Sequence, residues 1–592
     1  MSSTIAAMAK LVAILPIVLL AAGCSRNPSD RLARLSDEFV HTTLSFSPAL
    51  ATSVGLHHYQ GQNLDNLLDD TSPENLDRQR HYYEQFRQQL DALNGKQLTA
   101  QDQADLSILQ DQVSLALLDL NELHSHLHNP TLYVETLGNA LFSPYVLEYA
   151  PQAARMRNII ARLQKAPLFL DQASTNLTSS PDIWVKVAME ENQGNIGLVD
   201  KTIRAAVPPE LRDVYNLAAL SALDAMRKFQ DLLKNNLSGR DDTGWRMTTD
   251  QYMRKFRFTL ESGVEADTML QMAERELIRV RAQMLELALP VHRQLAPAHK
   301  DHAELAGADR ENQVIGEVLA KIAERHSTRE SYMDDARQDL AEARAFVEEK
   351  HLLTLPPRAN LQVIPTPEFM RGVYSVGGFS AAPALEPKLG AFYWVTPIPA
   401  DWPQQRAESK LREYNYYKLK LLTIHEAMPG HYVQMEIANN VQPESRRVLR
   451  SVFGNGPYIE GWGEFATQTM LDEGFLGRSP EMALTFAKEK LRVIANAILD
   501  VRLHMLAMTD QEALDLMQKQ TFQEAEEATE KLQRAKLSSC QLPMYFVGWR
   551  GWQRVREQYQ QKHPSSSLSG FNDWAIKEGA VPLPALTRLL KP

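Results

Sequence analysis

Apolar side chains recur at every third or fourth position through most of this chain. Between 264 and 287, Leu270, Ala273, Leu277, Val280, Met284 and Leu287 share one face while charged residues fill the other. That period predicts an amphipathic helix. The same spacing runs through 76–120, 152–175, 208–236, 328–350, 405–438 and 481–535, so the fold class expected is mainly α. No solenoid-length repeat interrupts it. Turn residues gather at Thr178-Ser179-Ser180-Pro181, at Ser238 to Asp242 and from Leu289 to Gly307. Each marks either a boundary between lobes or a plain helix connection.

Strand signals are confined to one stretch. Leu361-Gln362-Val363-Ile364 and Phe392-Tyr393-Trp394-Val395-Thr396 are β-prone, with a Gly377-Gly378 loop between them. They predict a small β-sheet. The segment Phe392 to Thr396 is either ordinary core or a strand that an extended peptide can join.

The N-terminus has a different pattern. Lys10 is followed by an apolar run, Leu11 to Leu20, and then by Ala21-Ala22-Gly23-Cys24. The run is too short for a permanent span and suits a secretory signal. Small residues ahead of a Cys resemble a bacterial lipobox, which implies cleavage before Cys24 and lipidation of its thiol. An ordinary signal peptide with an incidental Cys is the alternative. Ser25, where Asp would retain a lipoprotein in the inner membrane, points to an outer-membrane anchor facing the periplasm, in the cell envelope. The expected organisation is a signal peptide over 1–23 and one helical unit of two interlocking lobes over 24–592.

Cys24 and Cys540 are the two cysteines, so a large core rather than disulfides must hold the fold. The net charge of −10, without a dense Lys/Arg run, argues against nucleic acid as a partner. Nothing in the pattern speaks to oligomeric state.

Candidate chemistry lies in two short segments, His425-Glu426-Ala427-Met428-Pro429-Gly430-His431 and Glu460-Gly461-Trp462-Gly463-Glu464. Imidazoles and carboxylates are zinc donors, and a Glu beside a ligating His is placed to act as general base. The two His lie six apart. In a regular helix six residues turn about 240° net and rise about 9 Å, which would point the rings apart. Either Pro429-Gly430 forms a bulge that resets the helix phase, or only one His is a ligand. Glu460 and Glu464 share a helix face; one can ligate while the other orients a ligating His. Another divalent ion could use the same donors.

These segments resemble the bacterial family called domain of unknown function 885, grouped with the zincin metallopeptidases. Ser47 to Gly55 and Pro543 to Gly548 resemble its end regions. The resemblance implies a two-lobed, oligopeptidase-like helical fold with a deep channel and the small sheet near the active site. It implies one Zn2+ held by His425, His431 and Glu460, with Glu426 as the base and Glu464 orienting a His. The chain departs from the family around Asp500-Val501-Arg502-Leu503-His504 and at Asn496, where an Arg is frequent; Arg492 and Arg502 are the candidates to supply that charge.

His504 and Asp500 are either a surface pair or an oxyanion donor and its support. Tyr545 is a second oxyanion donor or a buried structural Tyr. His124, His126 and His128 read as a polar helix end, since His126 faces away from the other two. The function expected is a lipid-anchored zinc hydrolase of peptide bonds. A zinc amidase acting on cell-wall peptides and an inactive peptide-binding lipoprotein are the alternatives.

Overall fold

Most of the apolar period folds as read. The structure, a computed structural model, describes residues 27–237, 244–371 and 374–590. The signal segment, Cys24 and the break at Ser238 to Asp242 lie outside the described residues. No helix among the described residues is long and apolar enough to cross a membrane.

The helices that matter for the site are α1 (Pro130–Val146), α2 (Ala266–Leu295), α3 (Tyr416–Glu426), α4 (His431–Ala438), α5 (Gly456–Asp472), α6 (Pro480–Met505), α7 (Ala525–Leu537) and α8 (Pro543–Lys562). Long periodic stretches divide where a capping side chain ends one helix and starts the next. Asn415 caps α3 by accepting from Tyr417 and Lys418 backbone N–H, which splits 405–438. Thr99 starts a helix at Ala100, so 76–120 is Pro73–Asp91 and Ala100–Leu118. Thr509 closes a capping box between α6 and α7. The opposite correction applies at Leu289. Helix α2 continues through Pro290 to Leu295, with Ala288 and His292 fully buried, because packing against α6 holds it.

The sheet has three strands, β1 (Leu361–Pro365), β2 (Gly377–Ser380) and β3 (Ala391–Val395), in the order β1-β3-β2. Strands β1 and β3 are parallel, Leu361 opposite Ala391; β2 and β3 are antiparallel, Gly377 opposite Val395. Two sequence expectations change here. Gly377-Gly378 is a strand, not a loop: a Cβ at Gly377 would lie 2.4 Å from the Trp394 carbonyl oxygen, so glycine is what lets the strands meet. And β3 is central and wholly buried, with both edges taken, so no peptide can join it. The open edges belong to β1 and β2, and of these β2 lines a cavity.

Four large apolar clusters make up the core. One is N-terminal, around Phe39, Phe86 and Ile108. One gathers 133–237 with Phe369. A third joins α2 to α6 and α8, and a fourth joins β3, α3 and α5 to the C-terminal helices. A cavity of about 530 Å³ lies where helices of the last three clusters face one another.

Candidate metal centre

Helix α3 ends at Glu426 and α4 begins at His431. The turn between them is tight. Gly430 N–H donates to the Ile424 carbonyl at 3.0 Å, and a Cβ at 430 would lie 1.8 Å from the His425 carbonyl oxygen. Only glycine fits there. The Met428–Pro429 peptide is cis. The Trp462 indole donates to the Pro429 carbonyl at 3.0 Å, tying the turn to α5. The helix is therefore ended and restarted, not bulged, and the new start resets the phase of His431.

The result brings both imidazoles to one carboxylate oxygen. Nε2 of His425 lies 3.4 Å from Oε2 of Glu460, and Nε2 of His431 lies 3.5 Å from the same atom. The three donor atoms lie within 4.8 Å of one another. Donors at about 2.0–2.1 Å from a tetrahedral ion sit about 3.3–3.4 Å apart, so the spacing fits shared coordination. The charge fits too. Burial works against a charged His425, but Glu460, Glu464 and Glu426 around it outweigh burial and raise its pKa. Burial pushes Glu460 up, and the two imidazoles override it, holding the carboxyl well below the usual range. Carboxylates outnumber imidazoles here, which suits a divalent cation.

Both glycines of the second segment are explained by this geometry. A Cβ at Gly463 would lie 2.5–2.8 Å from three atoms of the His425 ring. A Cβ at Gly461 would lie 2.3 Å from the Gly548 carbonyl carbon, where α5 and α8 cross. That crossing delivers Tyr545, whose ring stacks on His425 with centroids 6.2 Å apart. Burial, with Glu460 nearby, holds the Tyr545 hydroxyl at about 12, so it stays a donor at neutral pH. Glu464 is buried, with Oε1 3.6 Å from Nδ1 of His425, just beyond a hydrogen bond. Glu426 lines the cavity beside the donors.

His504 and Asp500 depart from the expectation. Both are buried, so they are not a surface pair, and neither lines the cavity. His504 Nε2 lies 3.1 Å from the carbonyls of Ala535 and Ser538, with its ring against Tyr252 and Trp245. Asp500 accepts from the Tyr252 hydroxyl at 2.6 Å and from Cys540 N–H at 2.9 Å. Helix phase is the reason. The cavity face of α6 carries Glu489 and Arg492, and His504 is twelve residues on from Arg492, about 18 Å along the axis and about 120° round it. Arg502 pairs with Glu274, away from the site.

Sequence reasoning missed several cavity residues: Glu135 on α1, Tyr374 ahead of β2, Lys418 on α3, and Lys531 and Arg534 on α7. The signal was weak, since charges on a periodic helix ordinarily face solvent. A second His-carboxylate group, His292, His302 and Glu317, also lies within donor range. There each imidazole meets a different oxygen of Glu317, at 3.0 and 3.1 Å. Those are hydrogen-bond distances to separate acceptors. His124, His126 and His128 form no such group among the described residues.

The chain belongs to the family described as bacterial protein of unknown function (DUF885), which matches residues 48–590. It is similar to a solved structure described as a lipoprotein of unknown function from Shewanella oneidensis, with a TM-score of 0.74 and 26% identity over 94% of this chain and 99% of that one. A second, described as a lipoprotein from Colwellia psychrerythraea, has a TM-score of 0.73 at 16% identity, covering 95% of this chain and 98% of that one. No curated protein matches the chain.

Proposed function

We propose that this protein is a lipid-anchored, zinc-dependent hydrolase of peptide bonds. The observation that carries the reading is the approach of two imidazole Nε2 atoms to one oxygen of Glu460 at 3.4 and 3.5 Å, with Glu426 in the same cavity. His425, His431 and Glu460 would hold the ion. Bound there, zinc supplies Lewis acidity, lowering the pKa of a water and polarising a carbonyl. Glu426 accepts the proton of the attacking water on its carboxylate and returns it to the leaving amine. Tyr545, protonated and stacked on His425, donates to the oxygen of the tetrahedral centre. Glu464 holds the His425 ring from behind. The open edge of β2, where Gly377, Gly378 and Phe379 line the cavity, is suited to pair with an extended peptide.

The anchor reading rests on Cys24 after its small residues and apolar run. Solved relatives described as lipoproteins agree with it. An outer-membrane position facing the periplasm follows from Ser25 in this reading. A second reading, a peptide-binding lipoprotein without catalysis, is favoured by one observation: His504, a candidate oxyanion donor, faces away from the cavity.

The test is the metal content of purified mature protein, wild type beside His431→Ala, followed by a peptide digest. One zinc per chain, lost in the variant, with peptide cleavage by the wild type, is the expected result. Zinc without cleavage favours the binding reading, and no zinc in either protein removes the metal from it.

A further inference from the structure

One wall of the cavity carries positive charge that the proposed chemistry does not use. Lys531 and Arg534 lie nearly one turn apart on α7, and Arg492 reaches the same space from α6. Their counter-charges differ. Arg492 contacts Glu489, which Lys418 also contacts. Lys531 meets Glu527 at 4.0 Å, a carboxylate it shares with Lys410 at 3.5 Å, while Lys410 lies nearer to Glu530. Arg534 donates through Nη2 to Gln541 Oε1 at 3.0 Å and to the Tyr545 hydroxyl at 3.3 Å, both neutral acceptors. Among the described residues no carboxylate lies within ion-pair distance of it. A guanidinium has five N–H donors, so Arg534 keeps donors for the cavity it lines.

The Lys531 side chain is 5% exposed. Burial, with Arg492 and Arg534 beside it, pulls its ammonium well below the ordinary value. Converging cations in a poorly solvated place is costly unless an anion joins them. Arg534 touches Tyr545, and Tyr545 stacks on His425, so the anion would sit close to the reacting bond. A cavity of about 530 Å³ is the size of a small-ligand site. A short peptide that ended inside it would set its carboxylate against this wall, which would repel an ammonium end.

We infer that Lys531 and Arg534 form a carboxylate subsite that takes the free C-terminus of a short peptide, making the substrate class peptides cleaved near that end. This rests on the peptide-hydrolase reading. The chemistry would equally suit an acidic side chain, so the test separates the two.

The experiment uses the zinc-loaded mature protein carrying Glu426→Gln, so that binding is read without turnover. Three tripeptide pools are offered: free acids with neutral side chains, their C-terminal amides, and amides ending in Glu. Retained peptide is counted by mass spectrometry. The free acids should be retained about thirtyfold or more over their amides, the scale of one buried charge pair. Adding Lys531→Gln should collapse that ratio. The acid-to-amide comparison stands on the parent protein even where the added variant does not fold. Equal retention of acids and amides overturns the subsite and leaves the hydrolase reading intact. Glu-ended amides retained as well as the acids overturn the terminal assignment. Retention of no pool by zinc-loaded protein overturns both this inference and the reading beneath it.

Discussion

Gly463 lies directly against the His425 imidazole: a Cβ there would be 2.5 Å from Cε1 and 2.6 Å from Nδ1. The absence of a side chain on α5 is thus what allows His425 to face Glu460. Gly463→Ala should push the ring off its place and lower metal affinity about 10–100-fold, the scale seen when support of a ligand is lost. Overpacking should also cost about 1–3 kcal/mol of stability. Chelator competition and thermal unfolding check both, and unchanged affinity would show that the ring has another place to go.

Glu426 is the proposed proton carrier and is not one of the three converging donors. Glu426→Gln should retain zinc and lose turnover about 10²–10⁴-fold. Metal analysis beside steady-state peptide cleavage is the measurement; full activity in the variant would remove Glu426 from the mechanism.

Glu464 stands behind His425 at 3.6 Å and is buried. Glu464→Gln keeps the volume and removes the charge. Metal affinity should fall about 10–100-fold with little change in fold. If affinity holds while the protein loses stability, Glu464 is a packing residue only.

The group at His292, His302 and Glu317 should not bind zinc, because its imidazoles meet separate oxygens at 3.0 and 3.1 Å. His302→Ala should leave zinc content at one per chain. Loss of a second equivalent in that variant would assign a structural ion there.

Glu191 is 1% exposed, and burial, with Glu135 and Glu190 nearby, raises its carboxyl to about 9. Its folded pKa lies above its unfolded value, so its contribution is fully present below about pH 4.3 and is lost as pH rises toward 9. Glu191→Gln should therefore flatten the decline of melting temperature between those limits. A wild-type slope retained in the variant would place the ionisation elsewhere.

The helical class was legible from the apolar period, because one helix face is a local property of its own residues. His425, Glu426 and His431 lie close in sequence, and Glu460 and Glu464 share one helix face; that the two groups converge was implied by the family resemblance and not by spacing. What the motif could not state was how six residues bring two rings together. That took the end of α3, the restart at His431 and the Trp462 bond to the Pro429 carbonyl. His504 was misread because its spacing from Asp500 is the same whichever way α6 is turned. Packing alone set that rotation, aiming Arg492 into the cavity and His504 at Tyr252. Similarly, Lys531 and Arg534 are ordinary helix charges until α7 is laid beside α6 and α8. Local spacing determines which side chains share a face. Which face meets a cavity is decided only when distant helices pack, through contacts such as Gly461 on Gly548 that no single segment encodes.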